Sequence, residues 1–302
     1  MGKRKTLLIL FFVLLALLGT YFGVKALKDK KEAEEAQKEE NEKIYVTDIE
    51  NVERFSYDVG QGEFSFTKKG DTWYYDGDED FPLNQSYPEQ IASTFGNLEA
   101  LRELKDGDDL EDYGLGEPVY TVTLTDREGK ETVLSFGNEV DEAIYVTADE
   151  TEEVYTVSNT VIADLQYTLD DMARLDEYPS IGSGNLKKET ITEGGSTTVY
   201  DAEDEDDAED IAAVAGGLGA VTLETAADYS VEEQDLPDFG LDEPSRITVE
   251  AIYTEDGEET LLTLYIGAED GEGNRYVMIN DSRIVYLISA EICDNILNRE
   301  DG

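Results

Sequence analysis

Tyr113-Gly114-Leu115-Gly116-Glu117-Pro118 is answered by Phe239-Gly240-Leu241-Asp242-Glu243-Pro244, and 239 − 113 sets a repeat period of 126 residues. In both copies a glycine follows an aromatic residue and precedes leucine, which suits a backbone position with φ > 0. The Glu-Pro pair that ends each motif fixes the proline φ and pushes the glutamate into an extended conformation. The stretch is therefore predicted to be a turn that launches a strand.

The strand follows in each copy. Tyr120, Val122 and Leu124 alternate with threonines, and Ile247, Val249 and Ala251 alternate with Thr248 and Glu250, as in a half-buried strand. Here the offset is 247 − 120 = 127, and the one inserted residue would flip every side chain unless a bulge absorbed it. Asp126-Arg127-Glu128-Gly129 and Glu255-Asp256-Gly257 supply hairpin-turn chemistry. Leu134 and Phe136 answer Leu264 and Ile266, closing on Gly137 and Gly267. Tyr145-Val146 and Val154-Tyr155 answer Tyr276-Val277 and Val285-Tyr286.

Ser158 and Ser289 stand where helical periodicity begins and are predicted to be N-caps. Their helices would bury Val161, Ile162, Leu165 and Leu169 in one copy, and Ile292, Cys293, Ile296 and Leu297 in the other. Upstream, Ile91, Leu98 and Leu101 match Ile211, Leu218 and Val221 at a spacing of 211 − 91 = 120. Pro88 to Leu104 reads as an amphipathic helix with Ile91, Phe95, Leu98 and Leu101 on one face. The first strands of copy two, Lys187 to Tyr200, match copy one poorly.

The paired Gly-Leu-x-Glu-Pro motifs, the Phe-Gly and Ile-Gly strand ends and the Val-Tyr-x-[Val/Ile]-Ser endings resemble domain-of-unknown-function family 4340. The resemblance covers most of the chain beyond residue 43. It implies tandem domains behind one N-terminal membrane helix, in bacterial envelope proteins. Some relatives lie beside gliding-type transport systems, which implies an accessory role to a transporter. The shared motifs are structural, so the resemblance implies no catalytic residue.

The formal charge is −49. Residues 1–43 hold 9 basic and 7 acidic side chains, leaving 23 − 9 = 14 basic and 72 − 7 = 65 acidic on the remainder. Such a surface repels nucleic-acid phosphates and anionic lipid. The absence of histidine removes His-based triads, most zinc sites and histidine bases. Cys293 is the only cysteine, so no intramolecular disulfide forms, and its helical spacing beside Ile292 and Ile296 reads as core.

Residues 1–5 carry Lys3, Arg4 and Lys5, and Thr6 to Val24 is a run of 19 residues without a charge. At about 1.5 Å per residue it just spans a hydrocarbon core. Tyr21-Phe22 and Lys25 follow in place of a small-residue cleavage site, and no cysteine stands near to take a lipid. Residues 6–24 therefore read as a transmembrane signal anchor, with the N-terminus cytoplasmic and the remainder extracytoplasmic. Residues 25–43 pair Lys30 with Glu34, Lys31 with Glu35 and Glu39 with Lys43, a solvated helical stalk without a coiled-coil seam. Residues 44–179 form repeat domain 1, 180–185 a Gly/Ser linker, and 186–302 repeat domain 2. Within domain 1, Phe64-Ser65-Phe66 and Trp73-Tyr74-Tyr75 read as a hairpin around Lys69-Gly70-Asp71.

Candidate chemistry is sparse. Asp76-Gly77-Asp78-Glu79-Asp80 mimics the start of an EF-hand, but Phe81 stands where glycine is needed and Tyr87 where a bidentate glutamate belongs. Asp201 to Asp210 holds eight acids in ten residues, the composition of a solvated charge run. Gly182-Ser183-Gly184 lacks the context of a nucleophile elbow. Gly216-Gly217-Leu218-Gly219 ends a helical pattern and reads as a chain reversal, not a phosphate loop. Tyrosines fall mostly at strand positions, where they pack across a sheet.

The expected fold is α+β: two tandem repeated domains of antiparallel sheet with packed helices, after one N-terminal transmembrane helix. No catalytic, cofactor-binding or metal residue is assigned, and no cofactor is expected. The expected role is a non-enzymatic accessory or scaffold of an envelope or transporter complex in the cell membrane, with no nucleic-acid partner. The alternative is an extracytoplasmic binding module for cell-wall glycan, peptide or divalent cations.

Overall fold

The computed structural model describes Lys25, Lys28 and residues 43–299 apart from 60, 61, 106, 108 and 150. The expected anchor over residues 6–24 and nearly all of the expected stalk lie outside the described residues. Among those described, no helix is long and apolar enough to cross a membrane.

The first repeat contains β1 (Ile44–Tyr45), β2 (Val52–Asp58), β3 (Glu63–Lys69), β4 (Thr72–Tyr75), helix α1 (Ser86–Gly96), β5 (Glu99–Ala100) and β6 (Arg102–Leu104). It continues with β7 (Tyr120–Asp126), β8 (Glu131–Val140), β9 (Ala143–Ala148), β10 (Val154–Ser158) and the short helix α2 (Leu169–Met172). The second contains β11 (Leu186–Glu193), β12 (Ser196–Asp201), α3 (Ala208–Gly219) and β13 (Ala226–Asp228). Strands β14 (Ile247–Glu255), β15 (Glu258–Glu269), β16 (Asn274–Ile279), β17 (Val285–Ser289) and helix α4 (Ala290–Ile296) complete it.

Besides a two-stranded sheet of β1 and β5, one large sheet runs β4-β3-β2-β7-β8-β9-β10-β6 and the other β12-β11-β14-β15-β16-β17-β13. Removing β4 leaves the two orders identical, strand for strand. The tandem duplication read from the motifs is thus a duplicated antiparallel topology in a mixed α and β fold.

Each Gly-Leu motif has the geometry its residues predict. Gly114 (φ 73°) and Gly240 (φ 65°) are left-handed and close short 3-10 turns, Leu110–Tyr113 and Leu236–Phe239. The aromatic carbonyl before each of them lies against a second glycine. A Cβ on Gly137 would stand 2.2 Å from the Tyr113 carbonyl oxygen, and one on Gly267 would stand 2.3 Å from that of Phe239. The turn therefore seats on the strand only because β8 and β15 present a bare backbone there. Both strands shift register immediately afterwards, between Phe136 and Glu139 and between Ile266 and Glu269.

The inserted residue of copy two needs no bulge. Ser245 and Arg246 N–H both donate to the Asp242 carbonyl, so the extra residue is taken up in a turn before β14 begins. Tyr120 then faces Phe136 as Ile247 faces Ile266, and the core faces are preserved.

Helix α1 corrects the expectation for Pro88 to Leu104. It ends at Gly96, whose carbonyl accepts from Ile49 N–H while the Leu98 carbonyl accepts from Val46 N–H. β5 pairs with β1 and β6 with β10, so the chain beyond is extended. Ile91, Phe95 and Leu98 are buried as expected, but Leu101 is 63% exposed, because extended alternation and not helical periodicity governs it. Ser158 does cap, accepting from Thr160 N–H, although the segment it starts is a 3-10 turn, Asn159–Leu165. Ser289 makes no side-chain cap bond.

The chain divides into two compact units: one takes the residues up to Ser65 together with Glu89–Gln166, the other Phe66–Pro88 together with Tyr167 onward. The first buries Phe55, Phe95, Leu124, Phe136 and Val146 completely. In the second, Val214 and Leu218 of α3, Cys293 and Ile296 of α4, and Val249, Leu264 and Val277 of the sheet form one core.

Candidate functional site

β11 pairs with β14, placing Glu189 opposite Ala251 and Ile191 opposite Val249. In the first repeat the corresponding pairs are Phe55 with Leu124 and Tyr57 with Val122. The carboxyl group thus occupies a position that the same fold fills with a phenyl ring in its other copy. Glu189 is wholly buried, and neither carboxylate oxygen has a hydrogen-bond partner. Burial alone pushes its pKa up to about 8. At neutral pH it is a carboxylic acid, since an isolated charge in such a site is far costlier than a bound proton.

Tyr178 lies within electrostatic reach of Glu189. Its buried hydroxyl is also unpartnered, and its pKa is raised first by burial, then by the Glu189 charge and by Tyr253. Glu189 and Tyr178 are a polar inclusion in an apolar core. Sealed from solvent, Glu189 exchanges a proton but reaches no substrate. The period-two pattern of β11 places Glu189 and Ile191 on one face. A glutamate at an inward position of that pattern was the signal that could have marked it.

A second polar cluster lies nearby in sequence. Asp176 accepts from the hydroxyls of Tyr286 (2.8 Å) and Ser282, and its N–H donates back to the Tyr286 oxygen. The buried phenol of Tyr286 is shifted upward, first by its burial and then by Asp176. Tyr229 similarly donates to Asp170 at 2.8 Å. These bonds hold α2 and the segment after it inside the second compact unit, to which they belong.

The loop from Asp76 to Asp80 serves the same purpose. Asp78 accepts Asp80 N–H with one oxygen and the Ser230 hydroxyl with the other. Asp80 pairs with Arg283 at 2.8 Å, Glu79 pairs with Lys69, and Phe81 packs edge-on against Tyr229. The carboxylates are directed at different protein donors instead of converging. Among the described residues, no three His, Cys, Asp or Glu side chains are grouped to hold a metal ion. Calcium and magnesium are therefore expected to raise the melting temperature comparably, saturating only at millimolar levels, by screening repulsion. A calcium-selective shift at micromolar concentration in a thermal-melt titration would overturn this reading.

The acidic run Asp201 to Asp210 is an ordered turn and helix start. Asp204 accepts Asp206 N–H, Asp207 accepts Asp201 N–H, and Glu209 and Asp210 stand in the first turn of α3, where its dipole favours them. Asp201 is held below its ordinary range by the Glu203 N–H and then by Lys188.

The glycine-rich candidates resolve differently from each other. Asn185 ties the Gly182-Ser183-Gly184 turn by accepting Gly182 N–H and donating to the Ser180 and Thr254 carbonyls. Gly217 and Gly219 belong to α3 itself and are not a chain reversal. A Cβ on Gly217 would meet Ile296 N at 2.5 Å, and one on Gly219 the Ile181 oxygen at 2.6 Å. They let α4 and the segment before β11 approach the α3 backbone. Cys293 is fully buried with its thiol pushed up to about 11 by burial, so it is an inert core residue.

Comparison with known families gives one match. The model of the family described as Domain of unknown function (DUF4340) matches residues 73–211 and again residues 205–301. No curated protein and no solved structure matches the chain.

Proposed function

The chain belongs to the DUF4340 family, in two tandem copies, and on that premise we propose that it is a membrane-anchored, extracytoplasmic scaffold or accessory subunit of an envelope or transporter complex. The observation that carries this reading is the duplicated antiparallel sheet placed behind an uncharged run of 19 residues, Thr6 to Val24. A repeated sheet unit offers surfaces and edges to partners without requiring a reaction centre. The deployment of carboxylates supports the same reading. Asp78, Asp80, Asp170, Asp176 and Asp201 hold hydroxyls, amides and cations of this chain. Among the described residues, the carboxyl with an elevated pKa is sealed in the core.

The test is fractionation followed by co-purification. The full chain is expected to stay with membranes after an alkaline wash. Protease added to spheroplasts is expected to digest everything beyond residue 43. Extraction in a gentle detergent is expected to bring down membrane-complex subunits. Release of a processed soluble form would defeat the anchor. Recovery of the chain alone, with its ectodomain retained on cell-wall material, would favour the binding-module alternative.

A further inference from the structure

We propose that β12 is a docking edge for an extended strand of another protein, added antiparallel to it. The two sheets have the same strand order except that β4 covers β3 in the first, whereas the equivalent β12 ends the second. The fold therefore displays, in its own first copy, what occupies this edge. That occupant is the uncharged and aromatic strand Thr72-Trp73-Tyr74-Tyr75, paired antiparallel from Lys69↔Thr72 to Phe66↔Tyr75.

The backbone of β12 is presented for such pairing. β11 and β12 are joined by the two-residue turn Gly194-Gly195, both with positive φ, and Glu193 faces Ser196 across its base. In a hairpin of this kind the closing pair exchanges hydrogen bonds, and alternate pairs do so along the ladder. The N–H and C=O of Thr197 and Val199 therefore point away from β11, along the open edge. Ser196, Thr197, Thr198 and Val199 are all exposed, with Val199 at 43%. Natural edge strands are ordinarily blunted by lysine, proline or a bulge. From Gly194 to Tyr200 there is no charge and no proline, and the β11–β12 register is unbroken, in a chain with 72 acidic residues.

A groove of about 310 Å³ runs beside this edge, lined by Ile191, Ser196, Thr198, Tyr200, Leu297 and Arg299, the last held by Glu193 at 2.7 Å. Ser196, Thr198 and Tyr200 share the face of β12 that borders it, so every second side chain of an added strand would pass along the groove. Main-chain bonds would supply affinity and the groove a preference among side chains. The groove mixes two aliphatic residues with hydroxyls and a guanidinium already neutralised, which suits an apolar or aromatic side chain with a polar tip. Charge argues against a second copy as the occupant, because two chains at −49 each repel. The partner strand is uncharged or basic.

This surface deepens the scaffold reading and rests on it for the partner being a protein. The probe is a fluorescent peptide, Lys-Thr-Trp-Tyr-Tyr-Lys, which carries the β4 sequence between two lysines, titrated into the full-length chain in mild detergent. Saturable binding is expected, weakened at least tenfold by Thr197→Pro and by Val199→Pro, whose lost N–H groups serve no bond inside the sheet. Val199→Thr should bind as the wild type does, and thermal melts should show all three variants folded. Absence of saturable binding, or undiminished binding by the folded proline variants, would overturn the proposal. So would self-association in ultracentrifugation that Thr197→Pro abolishes, since the occupant would then be a second copy. If Thr197→Pro loses the peptide yet still co-purifies with membrane partners, the scaffold reading stands and this edge is not its docking surface.

Discussion

Gly267→Ala is expected to destabilise its repeat by about 3 kcal/mol, the upper end of what overpacking a native core usually costs. Gly137→Ala should do the same in the first repeat. Neither glycine has positive φ, so the effect is one of space alone. The added methyl would lie 2.3 Å and 2.2 Å, respectively, from a carbonyl oxygen of the turn seated over the strand. That oxygen belongs to backbone held by the left-handed Gly240 or Gly114, so no side-chain rotation relieves the clash. Gly114→Ala should cost less, about 1–2 kcal/mol, because the αL penalty for a small residue is modest and Asn138 near Gly114 can turn aside, whereas a Cβ on Gly240 would also stand 2.8 Å from the Ala268 backbone nitrogen. Two neighbours in α3 calibrate the comparison. A Cβ on Gly216 meets nothing within 4 Å, whereas one on Gly217 meets the α4 backbone. Gly216→Ala should therefore gain about 0.5–1 kcal/mol from helix propensity, while Gly217→Ala should lose stability. Chemical denaturation of these alanine variants checks the order. If Gly267→Ala and Gly216→Ala proved alike, the interlocking account would be wrong.

Those same glycines show what was legible in the chain and what was not. The duplication could be read because structural motifs recur: Gly114 and Gly240 needed φ > 0, and the alternation in Tyr120–Leu124 and Ile247–Ala251 fixed which face is core. Local chemistry was sufficient there. The role of Gly137 and Gly267 was visible only as a repeat, since close approach of a distant carbonyl leaves no mark in neighbouring residues. Leu101 misled because its spacing from Leu98 and Phe95 fits a helix. Pairing of β6 with β10 and β5 with β1, contacts far apart in sequence, overrode that periodicity. The Asp76–Asp80 loop resembled the beginning of a calcium site, and its departures at Phe81 and Tyr87 were informative. Its actual partners, Ser230 and Arg283, lie far along the chain, as 230 − 78 = 152 and 283 − 80 = 203 show. Nothing local beyond the period-two pattern distinguishes Glu189 among 72 acidic residues, because the poor match of Lys187 to Tyr200 with copy one hides its alignment with Phe55.

Glu189→Gln is expected to change how stability depends on pH, by an amount larger than most surface substitutions achieve at any pH. The folded pKa is about 8 against an ordinary value of 4.5, so the folded chain keeps a proton that the unfolded chain releases. Below pH 4.5 the group is neutral in both states and contributes nothing to the slope. From 4.5 to 8 the unfolded state binds fewer protons, and stability falls by about 1.4 kcal/mol for each pH unit. Above 8 both states are ionised and the slope from this group ends. The accumulated penalty is about 3 kcal/mol at pH 7 and about 5 kcal/mol above pH 8, as an order of magnitude. Glutamine keeps the shape and the unsatisfied polar atoms but cannot ionise. The difference between wild type and Glu189→Gln therefore isolates this titration from the repulsion of the other carboxylates, which both proteins share. Glu189→Leu should add a further gain at every pH, because it also removes the unpartnered oxygens. Denaturant unfolding at about pH 5, 7 and 8.5 should show the variant's advantage widening across that interval. Parallel curves for wild type and Glu189→Gln would mean that the carboxyl finds water or a partner in the folded protein. The exchange of Phe55 and Leu124 for Glu189 and Ala251 would then enclose a hydrated pocket in place of a dry acid.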